Sequence, residues 1–334
     1  MRTHRTATAL LAAGALVLAA GCSSSGGKEA EEAAQSKGQG GGGVVADTPR
    51  MKVAMVTHSG EGDTFWDIVQ KGAKVAAKKD NVEFLYAANK EGKEQAQLVQ
   101  TYIDQKVDGI VVTLAKPEAV RDVVKKAVAA GIPVVTINSG GEFSRAFGAL
   151  THIGQDESVA GEAVGEELNA RGKKKAVCVI HEQGNVSLEA RCAGVKKTFK
   201  GAVENLNVEG TNMPASASTI QAKLQATGDI DAVVTLGAPF AAASVQAKKG
   251  AKASAEINTF DLNADVVKQL KAGEVGFAVD QQPYLQGYLA VDELWLNKVN
   301  RNVIGGGKPV LTGPALIRQK DADALAELTA DGTR

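Results

Sequence analysis

The sequence shows no excess of either charge and contains few aromatic residues. Among its 334 residues, 38 lysines and arginines balance 38 aspartates and glutamates, and aromatic residues make up 4%. A nucleic-acid-binding protein would be expected to show a basic excess, so the balanced charge argues against that class. The composition also excludes collagen-like, coiled-coil and disordered chains. With 44% hydrophobic residues, the chain is long enough for about two domains of roughly 150 residues each.

Motifs of the common metal sites and enzymes are missing as well. The four histidines, at positions 4, 58, 152 and 181, do not combine with cysteines at the spacing of zinc ligands, and GxSxG does not occur. The segment 59–65, SGEGDTF, brings Gly60 and Gly62 close to a dinucleotide-binding pattern. However, a third glycine is absent, and the second strand ends in Ala-Ala-Asn (87–89) instead of an acidic residue that would hold the ribose. We therefore expect neither an enzyme nor a cofactor.

The N-terminus has the pattern of an export signal. Arg2 and Arg5 precede an apolar stretch, 8–20, that is too short to span a membrane and ends in LAAGC. This box looks like the bacterial lipobox, whose cysteine is lipidated. We therefore expect a lipoprotein signal peptide over 1–21, lipidation of Cys22, and attachment to the outer face of the cell membrane. An ordinary signal peptide with an incidental Cys22 is the alternative.

The residues after Cys22 are rich in glycine and serine and show no apolar periodicity. This composition predicts a flexible tether over 22–49. Two further cysteines, Cys178 and Cys192, follow in the exported part of the chain. In an oxidising compartment they form either a disulfide or two buried thiols, and the sequence leaves both alternatives open.

From Met51 onward, short β-branched runs alternate with amphipathic stretches of helical length. This alternation predicts an α/β fold of parallel βαβ units in two doubly wound, Rossmann-like lobes. The expected strands are 52–57, 82–87, 108–113 and 132–138 in the first series, and 152–154, 175–180, 206–211, 231–236, 256–261 and 275–280 in the second.

A helix from about 283 to 298 and a last segment follow when the second sheet is already complete. We expect them to return to the first lobe and then to cross again, which makes a hinge of three strands. The N-terminal lobe would then contain 50–150 and 283–305, and the C-terminal lobe 151–282 and 306–320. The three hinge strands are expected near 145–155, 276–284 and 301–312, where the glycines at 305–307 supply backbone freedom.

Ordered motifs over 52–298 resemble the ribose- and galactose-type periplasmic sugar-binding proteins, which are type I substrate receptors of ABC importers. These motifs are DTFW (63–66), DGIVV (108–112), GIPVVTIN (131–138), GQDESVAGEAVGEEL (154–168), LEARCAG (188–194), TFD (259–261) and VDQQPYLQGYLA (279–290). The resemblance implies that two lobes close by hinge bending over one small ligand between the carboxyl ends of their strands.

The resemblance also implies which side chains contact the ligand. A sugar ring has apolar C–H faces and a rim of hydroxyls, so it needs flat aromatic rings together with amide and carboxylate groups. Glu189 and Arg191 are alternatives for a single position, where the family has an arginine that reaches the ligand, although Arg191 could instead match a structural arginine of the same helix. The residues implied are Asp63, Phe65, Trp66, Asn138, Glu189, Arg191, Asp261 and Gln281.

Simpler structural roles stay open for several of these residues. Phe65 and Trp66 could belong to the core, Asp261 could cap the following helix, and Asn138 could close a turn. Glu157 is interpreted as a charge in the first turn of a helix.

The chain departs from the family pattern at three positions. Gly237 and Ala238 stand where Asn-Asp is common, and Ser139 replaces an arginine. Since fewer hydrogen-bonding groups remain, the ligand's identity stays open. The histidines at 58, 152 and 181 have no partner that would form a triad, and we interpret them as loop or hinge residues.

These observations predict a monomeric, lipid-anchored substrate-binding protein that delivers a small sugar or polyol to an ABC permease and its ATPase. A sensory receptor for a sugar or sugar-derived autoinducer is the alternative. Regulators of the LacI type share the two-lobed fold, but this chain has an export signal where they have a helix-turn-helix.

Overall fold

The computed structural model describes residues 45–60 and 63–334. The segment Val45–Arg334 forms one compact unit. The predicted signal peptide (1–21), Cys22 and most of the tether lie outside the described residues.

Short strands and longer helices alternate along the chain, as the periodicity predicts. The strands are β1 (Met51–Thr57), β2 (Val82–Ala88), β3 (Gly109–Val112), β4 (Val134–Ile137), β5 (Thr151–Gly154), β6 (Lys175–Ile180), β7 (Ala202–Asn207), β8 (Ala232–Thr235), β9 (Glu256–Phe260), β10 (Val275–Asp280), β11 (Val310–Leu311) and β12 (Ala315–Arg318). The helices are α1 (Phe65–Lys79), α2 (Gly92–Asp104), α3 (Pro117–Ala129), α4 (Gly141–Ser144), α5 (Glu157–Ala170), α6 (Val186–Thr198), α7 (Met213–Ala226), α8 (Ala238–Ala251), α9 (Ala264–Lys271), α10 (Pro283–Asn300) and α11 (Ala322–Ala330).

The strands form two sheets with equivalent strand orders. One has the order β11-β5-β4-β3-β1-β2 and the other β12-β10-β9-β8-β6-β7. Every pairing is parallel except that of β10 with β12. The central strands are buried on both faces, which explains their continuous Val and Ile runs. The expected two-lobed α/β fold is therefore confirmed.

Helix α10 returns to the first lobe, as expected, and packs on α1. Two glycines make this close approach possible. A Cβ atom on Gly72 would collide with the carbonyl oxygen of Tyr284, and one on Gly287 would collide with that of Val69. The two helix backbones consequently touch, and α10 anchors the returning chain.

The lobe boundaries differ from the expected ones at two places. Strand β5 pairs with β4, so 151–154 belong to the first lobe instead of opening the second. The expectation was wrong because a long helix follows β5, whereas only the short α4 and a 3-10 turn precede it. Strand β11 pairs with β5, so 310–311 also belong to the first lobe, and only β12 joins the second sheet.

The chain thus crosses between the lobes after Gly154, after Asp280 and after Thr312. The glycines at 305–307 lie in a 3-10 turn before β11, ahead of the third crossing. The crossings are joined by hydrogen bonds: Thr312 N–H donates to the Gly154 carbonyl at 2.8 Å, and Gln282 Nε2 donates to the Thr312 carbonyl at 2.7 Å.

Strand β7 begins four residues earlier than the expected start at 206, at Ala202. It is an edge strand in which every residue is exposed or half-buried. The polar residues of β7 do not form an apolar run, so the sequence gives little sign of its start. Because Leu206 and Val208 are apolar, the strand was expected too far toward the following loop.

Candidate ligand site between the lobes

A cavity of about 610 Å³ lies between the two lobes, at the carboxyl ends of the parallel strands. Loops that follow β1, β2, β3 and β4 line it from the first lobe, loops that follow β6, β7, β8 and β9 line it from the second, and Gln281 lines it after β10. In doubly wound sheets this edge is where ligands bind, because loops and helix N-termini converge there.

Seven of the eight candidate residues line this cavity. The exception is Glu189, which is exposed on α6. Of the two alternatives for one position, only Arg191 therefore stays a candidate. The residues at the cavity wall are Asp63, Phe65, Trp66, Asn138, Arg191, Asp261 and Gln281.

Asp63 and two aromatic rings mark the start of α1. Asp63 Oδ1 accepts a hydrogen bond from Phe65 N–H at 3.1 Å, and the Phe65 and Trp66 rings meet edge to face with centroids 5.1 Å apart. Trp66 is 3% exposed and belongs to the core of the first lobe, whereas Phe65 is only partly buried. Trp66 therefore belongs to the core and also lines the cavity, whereas the ring of Phe65 is less buried.

Gln281 links two candidates from opposite lobes into one chain of hydrogen bonds. Asn138 Nδ2 donates to Gln281 Oε1 at 3.1 Å, and Gln281 Nε2 donates to Asp261 Oδ1 at 2.7 Å. All three side chains are buried, and Gln281 lies on the second crossing. The chain of amides and carboxylate therefore runs across the hinge at the base of the cavity.

Asn138 and Asp261 share an unusual backbone conformation. Asn138 follows β4 with φ 62°, and Asp261 follows β9 with φ 68°. Left-handed φ is disfavoured for residues with a Cβ, and Asn and Asp tolerate it best. Such strain clusters at functional sites. Asp261 does not cap α9, because Asn263 does so by accepting from Val266 N–H at 2.8 Å.

Burial dominates the electrostatics of the two acidic candidates. It raises the pKa of Asp261 to about 7, against the opposing effect of Arg191 and the hydrogen bond from Gln281. Burial also raises the pKa of Asp63 to about 6, although the Phe65 N–H stabilises the ionised form. Each carboxyl group is therefore poorly solvated at its place in the cavity wall.

Arg191 is built into the wall of the cavity by a buried ion pair. Its Nη2 donates to Glu157 Oε1 at 2.9 Å, its Nε pairs with Glu157 Oε2 at 2.5 Å, and its Nη1 donates to the Leu236 carbonyl at 3.0 Å. The guanidinium also lies 4.6 Å from the centroid of Phe260. Glu157 is thus more than a charge in the first turn of a helix, since it neutralises Arg191.

Cys178 and Cys192 form a disulfide between β6 and α6, with their Cα atoms 5.9 Å apart. The bridge encloses the loop that follows β6, which lines the second lobe's side of the cavity. It closes the loop at its base, and both cysteines are buried.

Sequence reasoning missed a polar contact between the lobes beside the cavity. Glu182 of the second lobe lies 3.3 Å from Lys116 Nζ and 3.9 Å from His58 Nε2, both in the first lobe. Val186 N–H donates across the gap to the Ala115 carbonyl at 3.1 Å. The positions directly after β1 and β6 were the available signal, because such positions face the cavity in this fold.

Sequence reasoning also missed a pair of stacked rings. His181, directly after β6, lies on Phe240 of α8 with ring centroids 4.2 Å apart and planes 17° from parallel. Both residues line the cavity. Fifty-nine residues separate them along the chain, so no local pattern predicts the stack.

A family model described as a periplasmic binding protein domain matches residues 53–298. The chain belongs to this family of periplasmic binding proteins. Its members are substrate-binding proteins, not enzymes. The match covers both sheets and the cavity between them.

Solved structures of this family include close matches. A carbohydrate transporter from Acidothermus cellulolyticus 11B in complex with myo-inositol is 46% identical, with a TM-score of 0.85, over 86% of this chain and 100% of that one. An ABC transporter solute-binding protein from Burkholderia graminis C4D1M in complex with D-arabinose is 25% identical, with a TM-score of 0.74, over 83% and 98% of the two chains.

Curated relatives are more distant in sequence. The xylose/arabinose-binding protein XylF of Sulfolobus acidocaldarius is 24% identical over 62% of this chain and 56% of its own length. The ribose import binding protein RbsB of Bacillus subtilis is 24% identical over 68% of this chain and 75% of its own length. The chain therefore spans little more than half of the Sulfolobus protein.

Within 45–60 and 63–334, no helix is long and apolar enough to cross a membrane. The same part of the chain holds no cluster of three or more His, Cys, Asp or Glu side chains suited to a metal ion.

Proposed function

We propose that this periplasmic binding protein is a lipid-anchored receptor that binds one small, uncharged ring polyol and delivers it to an ABC permease. A cyclitol such as myo-inositol is the first candidate ligand, and pentoses and hexoses come next. The protein acts outside the cytoplasm, attached through Cys22.

The chain of hydrogen bonds formed by Asn138, Gln281 and Asp261 is the observation that supports this proposal most directly. It brings amide and carboxylate groups from both lobes together at one cavity, which the half-buried ring of Phe65 also lines. Hydroxyl groups both donate and accept, so a polyol can pair with amides and carboxylates together. Burying an amide or carboxylate of the protein without a hydroxyl of the ligand to pair with it costs free energy. A ligand that lacks one of these hydroxyls therefore binds more weakly, which favours specificity.

The charges at the cavity favour an uncharged ligand. Among the described residues, three lysines and arginines line the wall, and each is near a carboxylate: Arg191 with Glu157, Lys116 with Glu182, and Lys90 with Glu91 at 3.9 Å. A phosphate or carboxylate on the ligand would have to compete with these partners while facing Asp63 and Asp261. A neutral polyol meets no such repulsion.

Similarity to the myo-inositol complex from Acidothermus, at 46% identity, supports a ring polyol. The curated relatives, named for binding xylose and arabinose or importing ribose, support transport of small sugars in general. These names favour a transport role over the sensory alternative.

Binding and delivery follow from the hinge. A ligand that contacts both lobes binds the closed form more tightly than the open form, so it shifts the population toward closure. The closed surface then docks on the permease. The lipid on Cys22 keeps the receptor at the membrane.

Isothermal titration of the full-length chain in detergent tests the proposal. Myo-inositol, its epimers, pentoses and hexoses are compared, with inositol phosphate and glucuronate as charged controls. A ligand at 100 times its dissociation constant adds about 2.7 kcal/mol to the free energy of unfolding, so thermal unfolding checks each titration. Binding of the charged controls alone, or of no member of the panel, would reject the proposal.

The anchor needs a separate test. We expect Cys22→Ser to abolish incorporation of labelled palmitate and to move the protein from the membrane fraction to the soluble fraction. Unchanged labelling of the variant would exclude lipidation at Cys22.

A further inference from the structure

In the second lobe, a histidine lies at a part of the cavity wall where two neighbouring residues have no polar side chain. Gly237 and Ala238, after β8, provide no side-chain hydrogen bonds to the cavity. The ring of His181 lies against this position. A Cβ atom on Gly237 would come within 3.3 Å of His181 Cε1 and 3.6 Å of Phe240 Cδ2. The missing side chain at 237 therefore makes room for the imidazole.

Phe240 fixes the orientation of that imidazole. The two rings are stacked at 4.2 Å, and Phe240 is itself 5% exposed in the core of the second lobe. Gly210 closes over His181 from the loop after β7, because a Cβ there would collide with the His181 carbonyl. The ring is consequently held on one face by Phe240, and its backbone is held by a neighbouring loop.

The surroundings of the His181 ring indicate which of its two nitrogens carries the proton. His181 Nδ1 is buried and has no hydrogen-bond partner among the described residues. A buried N–H without a hydrogen-bond partner is rarer in proteins than a buried acceptor without one. A proton on Nδ1 would be such an unpaired donor, so we assign the proton to Nε2. Burial lowers the pKa of His181 to about 3, with smaller contributions from Arg191 and His58, so the ring is neutral near pH 7.

We infer that His181 determines ligand specificity by donating a hydrogen bond from Nε2–H to one hydroxyl of an uncharged ring polyol. The stacked Phe240 sets the direction of this bond. This inference rests on the proposed function and names a polar contact in the second lobe beside Gly237 and Ala238, which have no polar side chains.

The test is a thermodynamic cycle with His181→Phe and the monodeoxy derivatives of myo-inositol. Phenylalanine keeps the ring stack but removes the donor. We expect the affinity for myo-inositol to fall about tenfold or more. In the wild type, one monodeoxy derivative should bind more weakly than myo-inositol, because it lacks the hydroxyl that His181 contacts. In the His181→Phe variant, this difference in affinity should largely disappear. Glu189→Gln, exposed on the same loop-helix unit, is the matched control and should bind as the wild type does.

The outcomes separate the two proposals. If the variant weakens every derivative equally, His181 has only a structural role and the inference is wrong. If wild type binds a sugar instead of myo-inositol, the deoxy derivatives of that sugar complete the same cycle. If wild type binds nothing in the panel, the proposed function fails, and the inference with it.

Imidazole ¹⁵N NMR on the wild type covers the case in which His181→Phe does not fold. His58→Asn and His152→Asn variants assign the signals. We expect His181 to be protonated on Nε2 at pH 7, and the Nε2–H resonance to shift when myo-inositol is added. A proton on Nδ1, or a resonance unaffected by the ligand, would overturn the inference.

Discussion

The two lobes have equivalent strand orders but line the cavity in different ways. The first lobe presents a partly exposed ring, Phe65, and the weakly paired carboxyl group of Asp63. The second presents an ion pair neutralised within the wall, Arg191 with Glu157, and a ring stack, His181 on Phe240. The scaffold is thus shared, whereas the loops at the strand ends differ. Binding specificity in such folds belongs to those loops.

The largest expected effect comes from breaking the neutral wall of the second lobe. Glu157→Gln leaves Arg191 as a buried charge without its carboxylate, and removing one partner of a buried pair costs roughly 3 to 5 kcal/mol. Urea unfolding measures the loss. Glu162→Gln on the same helix is the control, since it breaks only the more exposed pair with Lys197 and should cost less than about 1 kcal/mol. Equal losses would show that Arg191 is adequately held by its other contacts.

Substitutions of the two aromatic rings in the first lobe should affect stability and ligand affinity to different degrees. Trp66→Ala removes a core side chain and should lower the free energy of unfolding by about 3 kcal/mol or more, together with ligand affinity. Phe65→Ala, at the half-buried neighbour, should lower affinity with a smaller loss of stability. Urea unfolding and titration calorimetry on both variants check this. A larger loss of stability in Phe65→Ala would reverse the assignment.

The variant Asp261→Ala tests whether a side chain of the second lobe contacts the ligand directly. A hydrogen bond to a charged group contributes roughly 1.5 to 3 kcal/mol, so Asp261→Ala should weaken binding of the best ligand at least tenfold. Gln281 would also lose its acceptor. Calorimetric titration measures the change, and an unaltered affinity would remove Asp261 from the site.

The smallest expected effect is a change in the pH dependence of stability. Burial raises the pKa of Asp261 to about 7, against an ordinary value of 3.8. Between these values the native state binds more protons than the unfolded state, so this group lowers the free energy of unfolding as pH rises. The buried His181, with a pKa lowered from 6.5 to about 3, acts in the opposite direction below 6.5.

Asp261→Asn should remove the first of these contributions and keep the second. The variant's free energy of unfolding should therefore decrease less, or increase more, than that of the wild type between pH 5 and 8. Urea unfolding at three pH values measures both profiles. Parallel profiles would mean that Asp261 ionises normally in the native state.

Local patterns predicted most of the scaffold. The runs KAVCVI and VGFAVD became β6 and β10 with the expected bounds. Where the local signal was weak, prediction failed: β7 is a polar edge strand, and β5 follows no full crossover helix. Strand-end positions such as Asn138 and Asp261 could be placed at the cavity because parallel sheets direct those ends to one edge.

The pairing of side chains within the site could not be predicted in the same way. Glu157 and Arg191 lie 34 residues apart, and Gln281 reaches Asn138 across 143 residues. Their partners depend on how α5 packs on α6 and on where the chain crosses between lobes. A sequence motif does not contain that information.

By itself, the sequence determined the alternation of strands and helices, the two lobes and the chemical types of residue at the strand ends. These follow from side-chain periodicity and backbone preference, which act over a few residues. Only the tertiary structure decided which charges neutralise each other, which ring is core and where His181 points. Those properties depend on burial and on contacts between distant segments, and both arise only once the sheets and helices have packed together.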